Sequence, residues 1–562
     1  MIKKLYYGDN LDILKNHISD EIIDLIYLDP PFNSQVNYNV IFNTPKGEKS
    51  ETQITAFEDI WTWNIESERC IQDLKQIRGD LAELLNLLVR TLGKNSLSAY
   101  LVMMAIRLVE LYRVLKPTGS LYLHSDPTAS HYLKMILDII FEAKNFRNEI
   151  IWERSKNRSS ISKSLRKAHD VILFYSKSNN YIFNLLYKQL SKASLENYRY
   201  EDEKGKYRLV PLLVSGKRNG ETGKVWREIN PNKQGKSGMH WVTIPEKLEE
   251  YDRQNLIIFS KNNIPNLKYY LEDNSGVPLS DNWYDIPLIS SNSKESLGYP
   301  TQKPLKLLER IIESSSNEND LILDPFCGCG TAVHASEKLN RQWIGIDITH
   351  LAISLIEKRL RDAFSEKYSD NSEDLIKKKT DFFEVEGTPK TLDAALDLFN
   401  RDAYQFQWWA ISLVNAQPYQ GKKKKGADSG IDGIIYFDDF DSKKSESVIK
   451  KIIVSVKGGK NINVSMIRDL RGTMEANNAS MGFFITLISP TKPMIQEAAK
   501  AGFYQAGNGT QYPVIQVFSI EGLINGNEKA KYYDLSWGKS TFKQAQKEQE
   551  SNGKQIEING IY

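Results

Sequence analysis

The sequence predicts an α/β fold whose chemistry sits at the carboxyl ends of strands, and three observations carry that expectation. Residues 1 to about 150 alternate apolar, strand-like runs with stretches of helical spacing. Near the N-terminus the apolar run at 22–28 stops at Asp29-Pro30-Pro31-Phe32. Far along the chain, Leu321-Ile322-Leu323 leads into a glycine turn, a helix start and a further strand. In open α/β sheets, ligands bind at such strand ends. At 562 residues the chain is too long for a single core, so several domains are expected.

Residues 1–10 contain no apolar leader, and no run approaches membrane-spanning length, so no membrane partner is expected. Spacing over 81–115 predicts helix, and Lys116-Pro117-Thr118-Gly119-Ser120 reads as a turn into the strand Leu121-Tyr122-Leu123. Residues 1–153 thus form one half of an α/β domain. Over 154–295 the periodicity fades into a polar, aromatic and basic stretch, read as a loop-rich surface module. Regular character returns over 296–362, with a helix at 304–314, a strand at 321–323, a helix at 332–339 and a strand at 343–348. Residues 363–396 read as a charged linker, 397–530 as a second compact domain and 531–562 as a polar tail, mobile over 543–554. No internal repeat is visible.

A net charge of +3 names no partner, although a nucleic-acid enzyme of this size can keep its basic surface local. Arg154, Lys156, Arg158, Lys163, Arg166 and Lys167 are such a local stretch, suited to phosphates or to an ordinary solvated face. Three cysteines, Cys70, Cys327 and Cys329, make no disulfide framework and point to a reducing, cytoplasmic setting. Cys327 and Cys329 lack the further ligands that zinc requires.

The corner at Asp29 offers acceptors and almost no donors: a carboxylate, two prolines without N–H, and carbonyls fixed in direction by restricted φ. Phe32 adds a flat apolar face. Such a corner suits an amino group on an aromatic ring, although a proline-stopped strand without function would look the same. In Asp324-Pro325-Phe326-Cys327-Gly328-Cys329-Gly330-Thr331, Gly328 and Gly330 allow close ligand approach and positive φ. The helix start that follows offers free N–H groups. Asp347 ends the next strand, where an acid commonly binds ribose hydroxyls. The glycines depart from G-x-G-x-x-G, which argues against NAD.

Together these motifs resemble the amino-methylating DNA methyltransferases that use S-adenosylmethionine, and their order resembles the β class of that family. Tyr299-Pro300-Thr301-Gln302-Lys303-Pro304 is similar to the family's additional cofactor motif, and Gly8-Asp9-Asn10 to its acidic position near the cofactor's adenine. The resemblance covers about residues 1–160 and 295–360. It implies a Rossmann-like, mostly parallel, seven-stranded sheet flanked by helices. It also implies that Asp324, Phe326, Gly328 and Gly330 surround the methionine part, Asp347 the ribose, and Asp9 and Asn10 the adenine. Thr301, Lys303 and Thr331 would be further contacts.

The same resemblance makes Asp29, Pro30, Pro31 and Phe32 the catalytic corner. Asp29 and the Pro30 carbonyl would accept the two N–H hydrogens of an exocyclic amine as it attacks the sulfonium methyl. Phe32 would stack on a base flipped out of double-stranded DNA. Asp at the first motif position implies adenine-N6, with cytosine-N4 as the alternative. Residues 154–295 become the target-recognition region, and His124, His131 and His169 read as structural or DNA-facing.

In the second domain Phe406-Gln407-Trp408-Trp409-Ala410 opens a helix. Four lysines at 422–425, the segment Gly426-Ala427-Asp428-Ser429-Gly430-Ile431-Asp432-Gly433 and the strand Ile452-Ile453-Val454-Ser455-Val456-Lys457 follow. An acid at a strand start and a lysine on the next strand can share a site with a divalent metal. The pattern resembles the Mrr-type restriction endonuclease domain of the PD-(D/E)xK fold. That implies Asp432 as the Mg²⁺ ligand, Lys457 as the catalytic lysine, and Gln407 at a helix position often held by Glu. Ser455 departs from the pattern, standing where Glu or Gln is usual, and a hydroxyl is a weak ligand for a hard cation. Either Asp428 completes the metal site, or cleavage is weak or absent.

The whole chain reads as a methyltransferase of a restriction–modification system with an endonuclease-like domain. Its partner is double-stranded DNA, and self-association as a homodimer is allowed. The rival is a DNA-binding methyltransferase with a catalytically dead second domain.

Overall fold

In the first of two units, Met1–Asn184 with Asp281–Asn552, a nine-stranded sheet organises the N-terminal part. The computed structural model describes residues 1–31, 37–43, 49–58, 62–154, 165, 168–290, 293–299, 301–364, 367, 382–419, 430–441, 446–536, 538, 540–542 and 545–548. In chain order the strands are β1 (Lys3–Tyr7), β2 (Ile23–Leu28), β3 (Leu115–Ser125), β4 (Phe146–Glu153), β5 (His169–Ser176), β6 (Asn282–Trp283), β7 (Leu321–Asp324), β8 (Gln342–Asp347) and β9 (Glu384–Glu386). They lie in the order β6-β4-β5-β3-β2-β7-β8-β1-β9, and only β5 runs antiparallel to its neighbours. Seven strands form the expected body, and the short β6 and β9 extend its edges.

Strands β2 and β7 are buried at every position, which is why their sequences are near-continuous apolar runs, broken only by Asp24 and Asp324, rather than alternating ones. Alternate residues feed opposite faces. Ile26, Leu28 and Leu323 join one core with α1 (Asn10–His17) and α2 (Ser96–Val114). Leu25, Tyr27 and Ile322 join another with α3 (Leu305–Ser315), whose stripe of Leu307, Leu308, Ile311 and Ile312 is fully buried. Each such side chain stabilises the packing by about 1.5–3 kcal/mol. Two further helices, α4 (Thr331–Lys338) and α5 (His350–Phe364), follow β7 and β8.

Three expectations change. The helical spacing at 81–115 is divided between Gly79–Leu92 and Ser96–Val114, broken at Gly93, whose φ is +83°. The turn expected at 116–120 is a bulge inside β3: Ile23 pairs with Leu115 and Leu25 with Ser120. There Lys116 reaches Asp24 at 2.7 Å, and the same buried carboxylate accepts the Leu321 N–H at 2.9 Å. The module expected at 154–295 begins late, because Val171–Tyr175 are buried within β5, between β3 and β4. An apolar run buried on both faces was hidden there by its polar surroundings.

The second unit covers Leu185–Ser280. It holds an antiparallel sheet of Ile257–Phe259, Pro265–Tyr270, Gly205–Pro211 and Tyr200–Asp202, and a small core around Trp226, Trp241 and Leu248.

The C-terminal part of the first unit begins with α6 (Leu392–Arg401) and α7 (Ala403–Ser412). Its sheet runs β10 (Gln417–Pro418), β11 (Gly433–Asp441), β12 (Glu446–Lys457), β13 (Met481–Thr486) and β14 (Ile515–Ser519), in that order. The first three strands are antiparallel and the last three parallel. The tail is tied down ahead of 543–554, where Leu535 N–H donates to the Asp438 carbonyl at 2.8 Å and Thr541 Oγ1 accepts from Tyr436 N–H at 3.0 Å; within the stretch expected to be mobile, Glu548 N–H donates to the Ala363 carbonyl at 3.0 Å. No helix among the described residues is long and apolar enough to cross a membrane.

Candidate active sites

The carboxyl ends of β1, β2, β7 and β8 meet around a cavity of about 280 Å³. Asp9, Asn10, Asp29, Pro30, Pro31, Thr301, Lys303, Asp324, Phe326, Gly328, Thr331 and Asp347, drawn from motifs far apart in sequence, all line it. Gly330 lies just outside the lining. Phe32 lies outside the described residues.

Asp347 is the best-anchored acid. Its Oδ2 accepts the Gly328 N–H at 2.9 Å, and its Oδ1 accepts both the N–H and the hydroxyl of Thr349 at 2.9 Å. Burial nevertheless dominates and pushes its carboxyl up to about 6. Asp324 accepts the Phe326 N–H at 3.1 Å, and burial, reinforced by Asp29 and Asp347, raises its carboxyl well above the usual range. Gly330 has φ +74°, and a Cβ there would stand 2.7 Å from Ile356 Cγ1, so only glycine fits the turn.

Asp9 caps α1 through the Leu11 N–H and pairs with Arg107 at 2.8 Å; Arg107 also donates to Asn10 Oδ1 at 2.6 Å. Asn10 in turn donates to the Pro325 carbonyl at 2.7 Å, joining the first and last motifs.

At the catalytic corner Asp29 Oδ2 takes an ion pair from Lys303. Asp29 Oδ1 is buried and finds no hydrogen-bond partner among the described residues. Lys303, expected to contact cofactor, lines the cavity with its ammonium paired to this acid. Lys303 and Arg107 each pair with a carboxylate, so the cavity presents acceptors and negative charge. That set of acceptors fits a cationic nucleoside such as S-adenosylmethionine, with a sulfonium, an ammonium and ribose hydroxyls to satisfy.

Sequence reasoning missed Arg107, which sits inside α2 with no local motif, and a buried polar chain under the corner. Tyr27, which lines the cavity, bonds through its hydroxyl to His124 Nδ1 at 3.0 Å, and His124 Nε2 meets Asp170 at 3.3 Å. His124 is fully buried and thus structural. Arg154, expected at phosphates, pairs with Asp170 at 3.2 Å. Lys156, Arg158, Lys163, Arg166 and Lys167 lie outside the described residues.

In the C-terminal part Asp432 stands one residue before β11, where its N–H donates to the Val454 carbonyl at 2.9 Å. Its Oδ2 accepts the Val456 N–H at 2.5 Å, and its Oδ1 accepts the Gln407 amide. The fold therefore brings Asp432, Gln407 and the end of β12 together. Ser455, buried, and Lys457 project from the same face of that strand. Asp428 and the four-lysine run lie outside the described residues. The described residues do not fit a divalent cation: they include no cluster of three or more His, Cys, Asp or Glu that could hold a metal, and both Asp432 oxygens already accept hydrogen bonds.

A family model described as DNA methylase matches residues 23–358, and one described as restriction endonuclease matches 399–510. The type II methyltransferase M.EcaI of Enterobacter cloacae is 35% identical over 266 residues, 47% of this chain and 57% of that protein. The type III restriction-modification enzyme StyLTI Mod subunit of Salmonella typhimurium is 29% identical over 349 residues, 60% of this chain and 50% of that one. The type II methyltransferase M.BamHI of Bacillus amyloliquefaciens is 26% identical over 367 residues, 65% of this chain and 58% of that one. The chain thus spans little more than half the length of these curated relatives.

Proposed function

The chain belongs to the DNA methylase family, and from that membership we propose that it transfers the methyl group of S-adenosylmethionine to the N6 amino group of adenine in double-stranded DNA, as the cytoplasmic methyltransferase of a restriction–modification system. The observation that carries this reading is Asp29. Its Oδ1 is a buried acceptor with no partner among the described residues, in the same cavity as Asp347 and the glycine turn. The first test is methyl transfer from labelled cofactor to DNA, with the modified base identified by mass spectrometry. N4-methylcytosine instead of N6-methyladenine would move the reading to its alternative.

S-adenosylmethionine, when bound, supplies an electrophilic methyl on a sulfonium. The chain's own groups do the rest. Asp347 accepts ribose hydroxyls, while Asp324, Phe326, Gly328 and Gly330 surround the methionine part. Asp9 and Asn10 lie toward the adenine, and Thr301 and Thr331 are further contacts. Asp29 Oδ1 and the Pro30 carbonyl accept the two N–H hydrogens of the target amine. That frees the nitrogen lone pair from the ring and stabilises the positive charge that develops as the N–C bond forms and the C–S bond breaks. Asp29 then takes the surplus amine proton and passes it to solvent.

Lys303 acts as a positioning residue, fixing one Asp29 oxygen so that the other faces the amine. Lys303→Met is expected to lower kcat about tenfold while changing cofactor Kd less than threefold, with Lys303→Arg recovering most of the loss. A rise in cofactor KM at unchanged kcat would return Lys303 to the role of cofactor contact.

In the endonuclease-like domain Asp432 is the carboxylate beside Ser455 among the described residues, a ligand set too poor for a hard divalent cation. DNA incubated with the protein and Mg²⁺ is expected to be cut weakly or not at all, and Asp432→Ala should behave like the wild type. Strong Mg²⁺-dependent cleavage abolished by Asp432→Ala would establish an active nuclease, with Asp428 completing its site.

A further inference from the structure

Helix α7 belongs by sequence to the endonuclease-like domain, yet its side chains serve three places. Phe406, Trp409 and Ala410 are buried in that domain's own core, and Gln407 bonds Asp432. Gln405 and Trp408, one turn apart, point instead to the methyltransferase part. The Gln405 Oε1 accepts the N–H of His350 at 3.2 Å, satisfying a donor at the start of α5 that the helix itself leaves unpaired. That helix start directly follows Asp347 and Thr349, the acid and its hydrogen-bonding neighbour in the cavity wall. Trp408 packs against Tyr299, Cys329, Leu351 and Leu355, and the first two of these line the cavity.

The contact is reinforced from two sides. Tyr7, at the end of β1 and just before Gly8 and Asp9, stacks on the His350 ring at 3.6 Å and also packs against the endonuclease-like core. Beyond that domain the chain returns to the glycine turn. Phe542 joins the Tyr299–Cys329 cluster, and Glu548 accepts from His334 Nε2 at 2.9 Å. The other nitrogen of His334 accepts from Arg359 Nε at 3.1 Å, which fixes the tautomer, and the Arg359 guanidinium holds the Cys329 carbonyl and the Thr331 hydroxyl, each at 3.1 Å.

We infer that Gln405 and Trp408 are positioning residues of the cofactor site, so that the endonuclease-like domain is a structural part of the methyltransferase pocket rather than a tethered neighbour. The inference rests on the S-adenosylmethionine reading of that cavity. Neither side chain lines the cavity itself: Gln405 acts through His350, the residue next to the wall residue Thr349, and Trp408 through the wall residues Tyr299 and Cys329. Binding that tightens those walls must, by reciprocity, also stabilise α7.

The test uses the full chain. Trp408→Ala is expected to raise the S-adenosylmethionine Kd, measured by equilibrium dialysis with labelled cofactor, about tenfold. Gln405→Ala should raise it severalfold. In both, kcat at saturating cofactor and KM for DNA should stay within about twofold of wild type, and Trp408→Phe should restore most of the affinity. Tyr404→Ala, on the same helix but 62% exposed, should leave binding unchanged. In the wild type, added cofactor should slow amide hydrogen exchange over 403–412.

Wild-type affinity in Gln405→Ala and in any folded Trp408→Ala protein, with no cofactor effect on exchange in α7, would overturn the inference while the cofactor reading stood. Failure of the wild-type protein to bind S-adenosylmethionine would overturn both.

Discussion

Asp29→Ala is expected to bind S-adenosylmethionine as the wild type does and to transfer methyl groups at least 10²–10³-fold more slowly. That is the loss typical when one fixed group facing the developing charge is removed. The whole effect should fall on kcat, because the interaction strengthens only as the amine becomes cationic. Asp29→Asn keeps the shape and one acceptor but loses the charge, so it should lie between alanine and wild type. The alanine substitution also removes the carboxylate that pairs with the buried Lys303 ammonium, and breaking a buried pair by deleting one member destabilises. Thermal unfolding and cofactor binding must therefore be measured on the same preparation. The decisive comparison is the double-mutant cycle with Lys303→Met. If Lys303 works only through Asp29, its removal costs nothing further in the Asp29→Ala background. Transfer by Asp29→Ala at near wild-type kcat would remove Asp29 from the chemistry, and with it the amine-acceptor reading of the corner.

Much of this site was legible in sequence because its parts are local. A strand that ends in an acid and two prolines, and a strand that ends in a glycine turn, each carry their meaning within a dozen residues. The parallel sheet then brings their carboxyl ends together. What could not be read was the pairing of side chains across that sheet. Lys303 and Asp29 are both explicit in their motifs, but nothing in either motif says that they form an ion pair. Arg107 lies within a largely apolar helix and becomes a partner of Asp9 and Asn10 only when α2 packs beside α1. The β5 strand was lost for the opposite reason: an ordinary apolar run was judged by the polar sequence around it. The tail's attachment was not legible because few of its residues are apolar. Its attachment comes from Phe542 and from polar bonds such as Thr541 to Tyr436 and Glu548 to His334, which leave no periodic trace.

Cofactor affinity is expected to fall as the pH drops below about 6, because burial raises the Asp347 carboxyl to about that value from an ordinary 3.8. Hydroxyl donors prefer the ionised acceptor, so binding favours the deprotonated form. Affinity should then rise toward pH 6 by up to tenfold per unit and level off above it. The ligand-free protein responds with the opposite sign. An acid whose folded pKa is raised stabilises the fold below its unfolded value, and that contribution is lost as pH rises from about 3.8 through 6. The thermal stabilisation produced by S-adenosylmethionine should therefore grow across the same interval in which the free protein weakens. Asp347→Asn cannot titrate. It should bind about 10- to 100-fold more weakly at pH 8, consistent with about 1.5–3 kcal/mol for hydrogen bonds to a charged group, and its affinity should be nearly flat from pH 5 to 7. Any slope that survives in Asp347→Asn belongs to Asp324, whose carboxyl burial also raises and which Asp324→Asn would remove. Calorimetric titrations at four pH values on the wild type and the two variants separate the acids. A wild-type pH profile retained in Asp347→Asn would remove Asp347 as the source of the pH dependence.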